Sequence, residues 1–116
     1  MSSDFRVETE KSGRIWIIIT HGYINNQGGE EIAKAYHRVK EQGADCFLLN
    51  LKDSTIVNSI GVSILIELLE ETLESKGTMA FCECASIVSK TFQIMGLTQY
   101  AKIYATQAEA LTSMDL

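Results

Sequence analysis

A serine stands where a polar loop changes into a helical pattern. The stretch KDSTIVNSIGVSILIELLEE, residues 52–71, starts with turn-forming side chains and continues, after Ser59, as an apolar helix. Ser59 or Asn58 would cap this helix, which is the simplest reason for a polar residue there. A helix start also attracts phosphate, because free backbone amides point at it and the helix dipole favours its charge. Ser59 is therefore a candidate helix cap and a candidate phosphoacceptor.

The residue types needed for hydrolysis or phosphate binding are present, but not in the patterns that those activities use. Ser59, His21 and Asp53 supply the side chains of a catalytic triad, and nothing in their spacing brings them together. Residues 61–65, GVSIL, begin like a nucleophile elbow but lack its final glycine. Residues 28–29 are glycines followed by acids, which indicates a flexible start of a helix and not a phosphate loop. We predict that the chain is not an enzyme.

Candidate metal ligands do not form a convincing set. Cys82 and Cys84 would share one side of a strand, where Cys46 and His21 could complete a site. Zinc sites show paired spacings that are missing here, so small, buried, reduced thiols are the favoured interpretation. His37 is expected on the surface of a helix. A further group of acids is interpreted as a solvated helix face: Glu67, Glu70, Glu71 and Glu74. We predict no metal and no cofactor.

Length and charge restrict the class of protein. The 116 residues predict a single domain, 1–116, and 46% hydrophobic residues are enough for a core. A net charge of −5 argues against non-specific nucleic-acid binding and against a basic membrane patch. The apolar runs are far shorter than the roughly 20 residues that cross a bilayer. The first residues lack the pattern of a signal peptide, so we expect a cytoplasmic protein without membrane insertion.

Strands and helices alternate along the chain. Apolar runs predict strands at residues 5–9, 15–19, 46–51, 79–82 and 102–104. Helical spacing predicts helices over 30–43, from 59 to Gly77, over 86–95 and from Thr106 onward, with a loop over 25–29. This order predicts an α/β fold with a mixed, largely parallel sheet of four to five strands and about four helices. In such sheets, sites form where strands lead into helices, here the loops 22–29 and 52–60.

The central stretch LLNLKDSTIVNSIGVSIL resembles the core motif of the STAS domain, the fold of the anti-sigma factor antagonists. That motif is an apolar strand, a short polar loop, an apolar residue and then Asp-Ser-Ser/Thr-Gly-Leu at the helix start. Here the corresponding residues, 57–62, are VNSIGV. The segment ITHGYINNQGGEEI is similar to the family's strand and loop before the first helix, and KGTMAFCECASIVSKTFQIMGLTQYAKIYATQAEAL is similar to its C-terminal half. The resemblance covers nearly the whole chain and implies a single STAS domain.

The resemblance implies a bacterial regulator of transcription that works by partner switching. The unphosphorylated antagonist binds a GHKL-type serine kinase that doubles as an anti-sigma factor, and this releases the sigma factor. The kinase then phosphorylates the serine, here Ser59, the complex separates, and a PP2C-type phosphatase resets the cycle. The loops 23–28 and 53–60 and the helix 59–75 would face the kinase. The implied partner-binding residues are Asn25, Asn26, Asn58, Ser59, Ile60, Gly61, Ile64 and Leu68.

Two of these residues have a second interpretation. Ile64 and Leu68 widen the apolar stripe of their helix beyond one core face, which suits either a contact patch or ordinary core packing.

Three residues depart from the family motif. Asn25 and Asn58 stand where the family usually has Asp, and Ile60 replaces a small hydroxyl residue. Asn keeps the shape of Asp but loses its charge. The alternative function is thus a constitutive STAS scaffold that is not phosphorylated, such as the small subunit of a lipid-transport ABC system.

Overall fold

The fold is a five-stranded sheet with helices on both faces. A computed structural model describes residues 5–115. Its elements are, in order, β1 (Arg6–Ser12), β2 (Ile15–His21), α1 (Asn26–Glu41), β3 (Cys46–Asp53), α2 (Ser59–Glu74), β4 (Thr78–Cys82), α3 (Ser86–Ile94), a 3-10 turn (Leu97–Gln99), β5 (Lys102–Tyr104) and α4 (Gln107–Met114). The predicted alternation of strands and helices is confirmed. None of the helices in this range has the length and hydropathy needed to cross a bilayer.

The strands lie in sequence order across the sheet, β1-β2-β3-β4-β5. A tight turn at Gly13, whose φ of +60° suits glycine, makes β1 antiparallel to β2. The other neighbours are parallel, because a helix connects each strand to the next. The predicted mixed, largely parallel sheet is therefore confirmed, with five strands. At one edge β1 presents charged, exposed side chains at alternate positions, and at the other edge β5 has only three residues.

Both faces of the central strands are buried, which explains their nearly unbroken apolar sequences. Helices α1, α2 and α3 cover one face, where Tyr36 packs on Phe47 and Phe92 on Phe81, with ring centroids 4.5 and 5.1 Å apart. Helix α4 covers the other face through Ala110 and packs in a second cluster of apolar side chains. The carboxyl ends of β2, β3 and β4 consequently lie along one edge of the sheet and lead into α1, α2 and α3.

Helix α1 begins four residues earlier than the sequence indicated. We expected residues 25–29 to form a loop and the helix to start at Glu30, but Gly28 and Gly29 are buried in its first turn. A Cβ atom added to Gly29 would lie 2.8 Å from Cδ1 of Ile64 in α2. The interpretation of these glycines as a flexible connection is wrong, because they allow close packing of α1 against the chain around it.

A buried pair of hydroxyl groups fixes the loop that follows β3. The side-chain oxygens of Thr20, near the end of β2, and Ser54 are 2.7 Å apart, and neither residue is exposed to solvent. Beside this pair, the amide of Gly22 donates to the carbonyl of Asp53 at 2.9 Å. Each hydroxyl satisfies the other in a place that water does not reach. The start of the loop 54–58 is thereby held against β2.

We expect Thr20 and Ser54 to be strongly coupled energetically. Thr20→Val or Ser54→Ala alone leaves one buried hydroxyl without its partner and should cost about 1–3 kcal/mol of unfolding free energy. The double variant removes both groups, so its cost should be smaller than the sum of the single costs by about 1 kcal/mol or more. Urea denaturation of the four proteins measures this, and strict additivity would show that the two hydroxyls do not depend on each other.

Candidate functional site

The loops after β2 and β3 are joined by backbone hydrogen bonds. The amide of Ile24 donates to the carbonyl of Ile56 at 3.0 Å, and the amide of Asn58 donates to the carbonyl of Ile24 at 3.1 Å. Ile24 and Val57 form an isolated parallel bridge that continues the pairing of β2 with β3 beyond the sheet. The two loops, which sequence analysis selected separately, therefore form one surface at the carboxyl edge of the sheet.

An asparagine caps the helix that leaves each loop. Oδ1 of Asn25 accepts a hydrogen bond from the Gly28 amide at 2.9 Å, at the start of α1. Oδ1 of Asn58 accepts one from the Gly61 amide at 2.8 Å, at the start of α2. Asn and Asp cap helices about equally well, so these positions keep the cap without the charge. Sequence analysis left open which residue caps α2, and the structure assigns that role to Asn58.

Ser59 is the first residue of α2 and is exposed to solvent. Its carbonyl accepts a hydrogen bond from the hydroxyl of Ser63 at 2.8 Å. Its own hydroxyl has no hydrogen-bond partner within residues 5–115, because Asn58 supplies the cap. The hydroxyl is thus exposed beside the free amides of a helix start, where a phosphate group is favourable.

Exposed apolar side chains occur in the two joined loops and next to Ser59. Tyr23, Ile56 and Ile60 are 45%, 60% and 55% exposed, respectively. Tyr23 and Ile56 flank the Ile24–Val57 bridge, and Ile60 directly follows Ser59. Of the three, sequence analysis selected only Ile60, although an isoleucine within a polar loop was a signal that could have identified Ile56. We name Tyr23, Ile56, Ser59 and Ile60, together with the exposed Asn26, the serine surface.

Other residues predicted to bind a partner are internal. Gly61 is buried, and a Cβ atom there would overlap the carbonyl oxygen of Ile24, so only glycine allows α2 to start at this place. Leu68 is 4% exposed and belongs to the core, which corrects its assignment to a contact patch. Ile64 is half-buried and packs towards Gly29. The extra apolar positions of α2 thus mainly serve the packing of α2 against α1.

The candidate triad is not assembled. His21 Nδ1 lies 2.9 Å from Oδ2 of Asp53, and its Nε2 lies 2.8 Å from Oε1 of Glu8. A general base needs one ring nitrogen free to face the nucleophile, and both nitrogens of His21 face carboxylates. Ser59 is not among its partners. The histidine instead connects the ends of β1, β2 and β3 beneath the loops.

The thiols are also separated. Glu83, with a φ of +60°, breaks the strand alternation, so Cys82 packs in the cluster beneath α4 and Cys84 in the cluster beneath α1–α3. The prediction that they share one side is wrong for this reason. Burial raises the pKa of Cys82 and of Cys84 to about 12, and it also raises the pKa of Cys46. Within the described residues no group of three histidine, cysteine or acidic side chains is arranged so that it could hold a metal ion.

One acid of the predicted solvated face has a structural role. Glu71 accepts hydrogen bonds from Lys40 at 2.8 Å and from His37 at 3.0 Å, which joins α2 to α1. The hydrogen bond that Lys40 donates to Glu71 is the main cause of the lowered pKa of Glu71, and the same bond raises the pKa of Lys40. His37 is half-exposed, as expected, but it is engaged in this link.

The chain is similar to one protein family and to several solved structures. The model of the STAS domain family matches residues 6–110. A candidate anti-sigma factor antagonist from Thermotoga maritima is 18% identical with a TM-score of 0.87, and 95% of each chain is covered. An anti-sigma factor antagonist from Mycobacterium paratuberculosis is 17% identical with a TM-score of 0.85, over 97% of this chain and 96% of the other. The phosphorylated form of SpoIIAA from Bacillus is 22% identical with a TM-score of 0.74, over 93% and 98%. These similarities show a shared fold.

We expect Gly61→Ala to be much more harmful than Ser59→Ala. The new methyl group at position 61 meets the Ile24 carbonyl, so either the bridge or the helix start must move, at a cost of about 1–3 kcal/mol or more. Ser59→Ala removes an exposed, unbonded hydroxyl and should change the unfolding free energy by less than about 0.5 kcal/mol. Chemical denaturation measures both, and equal effects would contradict the described packing.

The cysteines should be unreactive in the folded protein. At about pH 8 an ordinary free thiol is partly ionised, whereas a pKa of about 12 keeps Cys82 and Cys84 protonated. We expect Ellman's reagent to titrate all three thiols in denaturant and to react only slowly with the native chain. Rapid labelling of Cys82 or Cys84 without denaturant, located by mass spectrometry, would contradict this assignment.

Proposed function

The chain belongs to the STAS domain family, and from this membership we propose that it is an anti-sigma factor antagonist that switches partners at Ser59. In the unphosphorylated form it binds a GHKL-type serine kinase that also acts as an anti-sigma factor. Phosphorylation of Ser59 releases the kinase, and a PP2C-type phosphatase restores the binding form. The chain itself is a cytoplasmic binding module and not an enzyme. One observation supports this proposal above the others: an exposed, unbonded serine hydroxyl lies at a helix start among exposed apolar side chains.

The serine surface has the composition of a protein-binding site. Tyr23, Ile56 and Ile60 provide adjacent apolar area, and large exposed apolar groups clustered in this way are uncommon on a protein surface without a partner. The backbone bonds between the loops and the buried Thr20–Ser54 pair hold these side chains in place. A partner would therefore meet a largely preformed surface, and little conformational entropy would be lost on binding.

Phosphorylation would change binding without changing the fold. In the free chain, the amides and dipole of α2 stabilise a phosphate at Ser59. In a complex, the same group brings close to two negative charges into a contact that must lose water. An unpaired charge at such an interface costs about 2–5 kcal/mol, which corresponds to a loss of affinity of about 30-fold to several thousandfold. The Bacillus relative SpoIIAA, whose structure is known in its phosphorylated form, supports the assignment of this chemistry by similarity.

The asparagine caps are compatible with a phosphoserine. A carboxylate at position 58 would repel a phosphate on the neighbouring residue, whereas the amide of Asn58 carries no charge. Asn58 also keeps its bond to the Gly61 amide, so the helix start stays formed while Ser59 changes its charge. The carboxylates of Glu8 and Asp53, at the ends of the neighbouring strands, are paired with His21. The phosphorylated state is therefore compatible with asparagine at position 58.

A specific observation favours a second candidate function. Both asparagines that replace the family's acids act as helix caps, and neither provides a charged group next to the serine hydroxyl. A STAS scaffold that is never phosphorylated, such as the small subunit of a lipid-transport ABC system, needs only the apolar part of the serine surface. The two functions differ in whether a negative charge at Ser59 changes the binding of a partner.

Baits that differ in charge at position 59 separate the two functions. We expect the wild-type chain and Ser59→Ala to capture a GHKL-type kinase from a lysate of the source bacterium, as identified by mass spectrometry, and Ser59→Asp to lose it. Thr112→Asp is the matched control, because it adds the same charge at an exposed position of α4 on the opposite face of the sheet. The captured kinase, purified, should transfer phosphate from ATP to the wild-type chain and not to Ser59→Ala.

Equal capture of the same partners by Ser59→Ala and Ser59→Asp would contradict the switch. If those partners are subunits of an ABC transporter, the scaffold function is correct. If Thr112→Asp loses the kinase as completely as Ser59→Asp does, the effect comes from net charge and not from Ser59.

A further inference from the structure

A second apolar surface lies at the other end of α2. A groove of about 690 Å³ runs between the C-terminal half of α2 and the turn after α3. Ile66, Leu69 and Leu73 form its α2 wall, and Met95, Leu97 and Tyr100 form the opposite wall. Ser59 and Leu73 are fourteen residues apart in this helix, which at a rise of 1.5 Å per residue is about 21 Å. The groove is therefore distinct from the serine surface.

The rim of the groove exposes large apolar groups to water. Tyr100 is 65% exposed and Leu73 is 41% exposed, one on each side. Met95 is half-buried between them. Single exposed apolar residues are common, but two that face each other across one concave surface indicate a place where another molecule binds.

The charge of the groove is negative. Glu70 and Glu74 line it, and no lysine or arginine does. Glu71, on a different side of the same helix, is neutralised by Lys40, whereas Glu70 and Glu74 have no cationic partner among residues 5–115. The last turn of α2 also contains no basic residue, so the negative end of the helix dipole adds to the two carboxylates.

We propose that this groove binds a basic amphipathic helix of a protein partner. An apolar side chain of that helix would pack between Leu73 and Tyr100, and its lysines or arginines would pair with Glu70 and Glu74. A second copy of this chain is a poor occupant, because a net charge of −5 opposes its approach to an acidic groove. Binding here does not depend on Ser59, so the chain can contact a partner at both ends of α2.

A model peptide tests the groove with the whole chain. The probe is a short amphipathic helix of lysine and leucine, and the matched probe has glutamate in place of every lysine. Nuclear magnetic resonance of the labelled chain should show shifts centred on Leu73, Met95 and Tyr100 with the lysine peptide. The glutamate peptide should bind at least about tenfold more weakly, because it brings like charges to Glu70 and Glu74.

Variants separate groove binding from general attraction between opposite charges. Glu74→Lys should weaken binding of the lysine peptide at least about fivefold, and Tyr100→Ala should have a similar effect through lost apolar contact. Glu10→Lys makes the same change of net charge at an exposed position of β1 and should have little effect. Ser59→Asp should also leave binding unchanged, so the outcome is independent of the switch proposed above.

Three results would overturn the proposal. The first is equal affinity for the two peptides, and the second is a shift pattern centred on Tyr23, Ile56 and Ile60. The third is sedimentation of the free wild-type chain as a dimer that Tyr100→Ala dissociates, which would make a second copy the occupant. Circular dichroism of each variant confirms that a loss of binding is not a loss of fold.

Discussion

The contact between the Ile24 carbonyl and the first turn of α2 is the constraint on which the site depends. This oxygen accepts a hydrogen bond from the Asn58 amide and occupies the space that a side chain at position 61 would need. The helix can start only at this distance from the β2 loop, and its start determines the direction of Ser59. Because Asn58 caps the helix, the serine hydroxyl remains available to other molecules. Packing, capping and exposure of the serine thus follow from one close approach of two backbone segments.

Local sequence patterns predicted most of the fold because the spacing of apolar residues follows which side chains are buried. Unbroken apolar runs identified the central strands, and Thr106 with Glu109 identified the start of α4, where the Thr106 hydroxyl does accept from the Glu109 amide. The patterns failed where the conformation of a residue depends on contacts with residues that are distant in the sequence. Gly28 and Gly29 resembled a loop, although their small size serves contacts with Tyr23, Phe5 and Ile64.

The candidate site was predicted only in part, because some of its features depend on local sequence and others on contacts between distant residues. The helix start at Ser59 has a local signature, and the resemblance to a family added the surrounding loops. The burial of Leu68 depends on how close α1 approaches, and the left-handed backbone of Glu83, which separates two cysteines, has no signal in the sequence. Tyr23 and Ile56 become neighbours of Ser59 only through the pairing of Ile24 with Val57, which joins residues far apart in the chain.

The charged side chains of β1 have a consequence for the protein at high concentration. An edge strand presents unpaired amides and carbonyls, to which a strand of another molecule can add. On β1, charged residues are exposed at alternate positions, and β5 at the other edge is too short to offer a long template. Growth of the sheet from molecule to molecule is therefore opposed at both ends. Both edges of the sheet are in this way protected from strand addition, while the helices and loops stay accessible to other molecules.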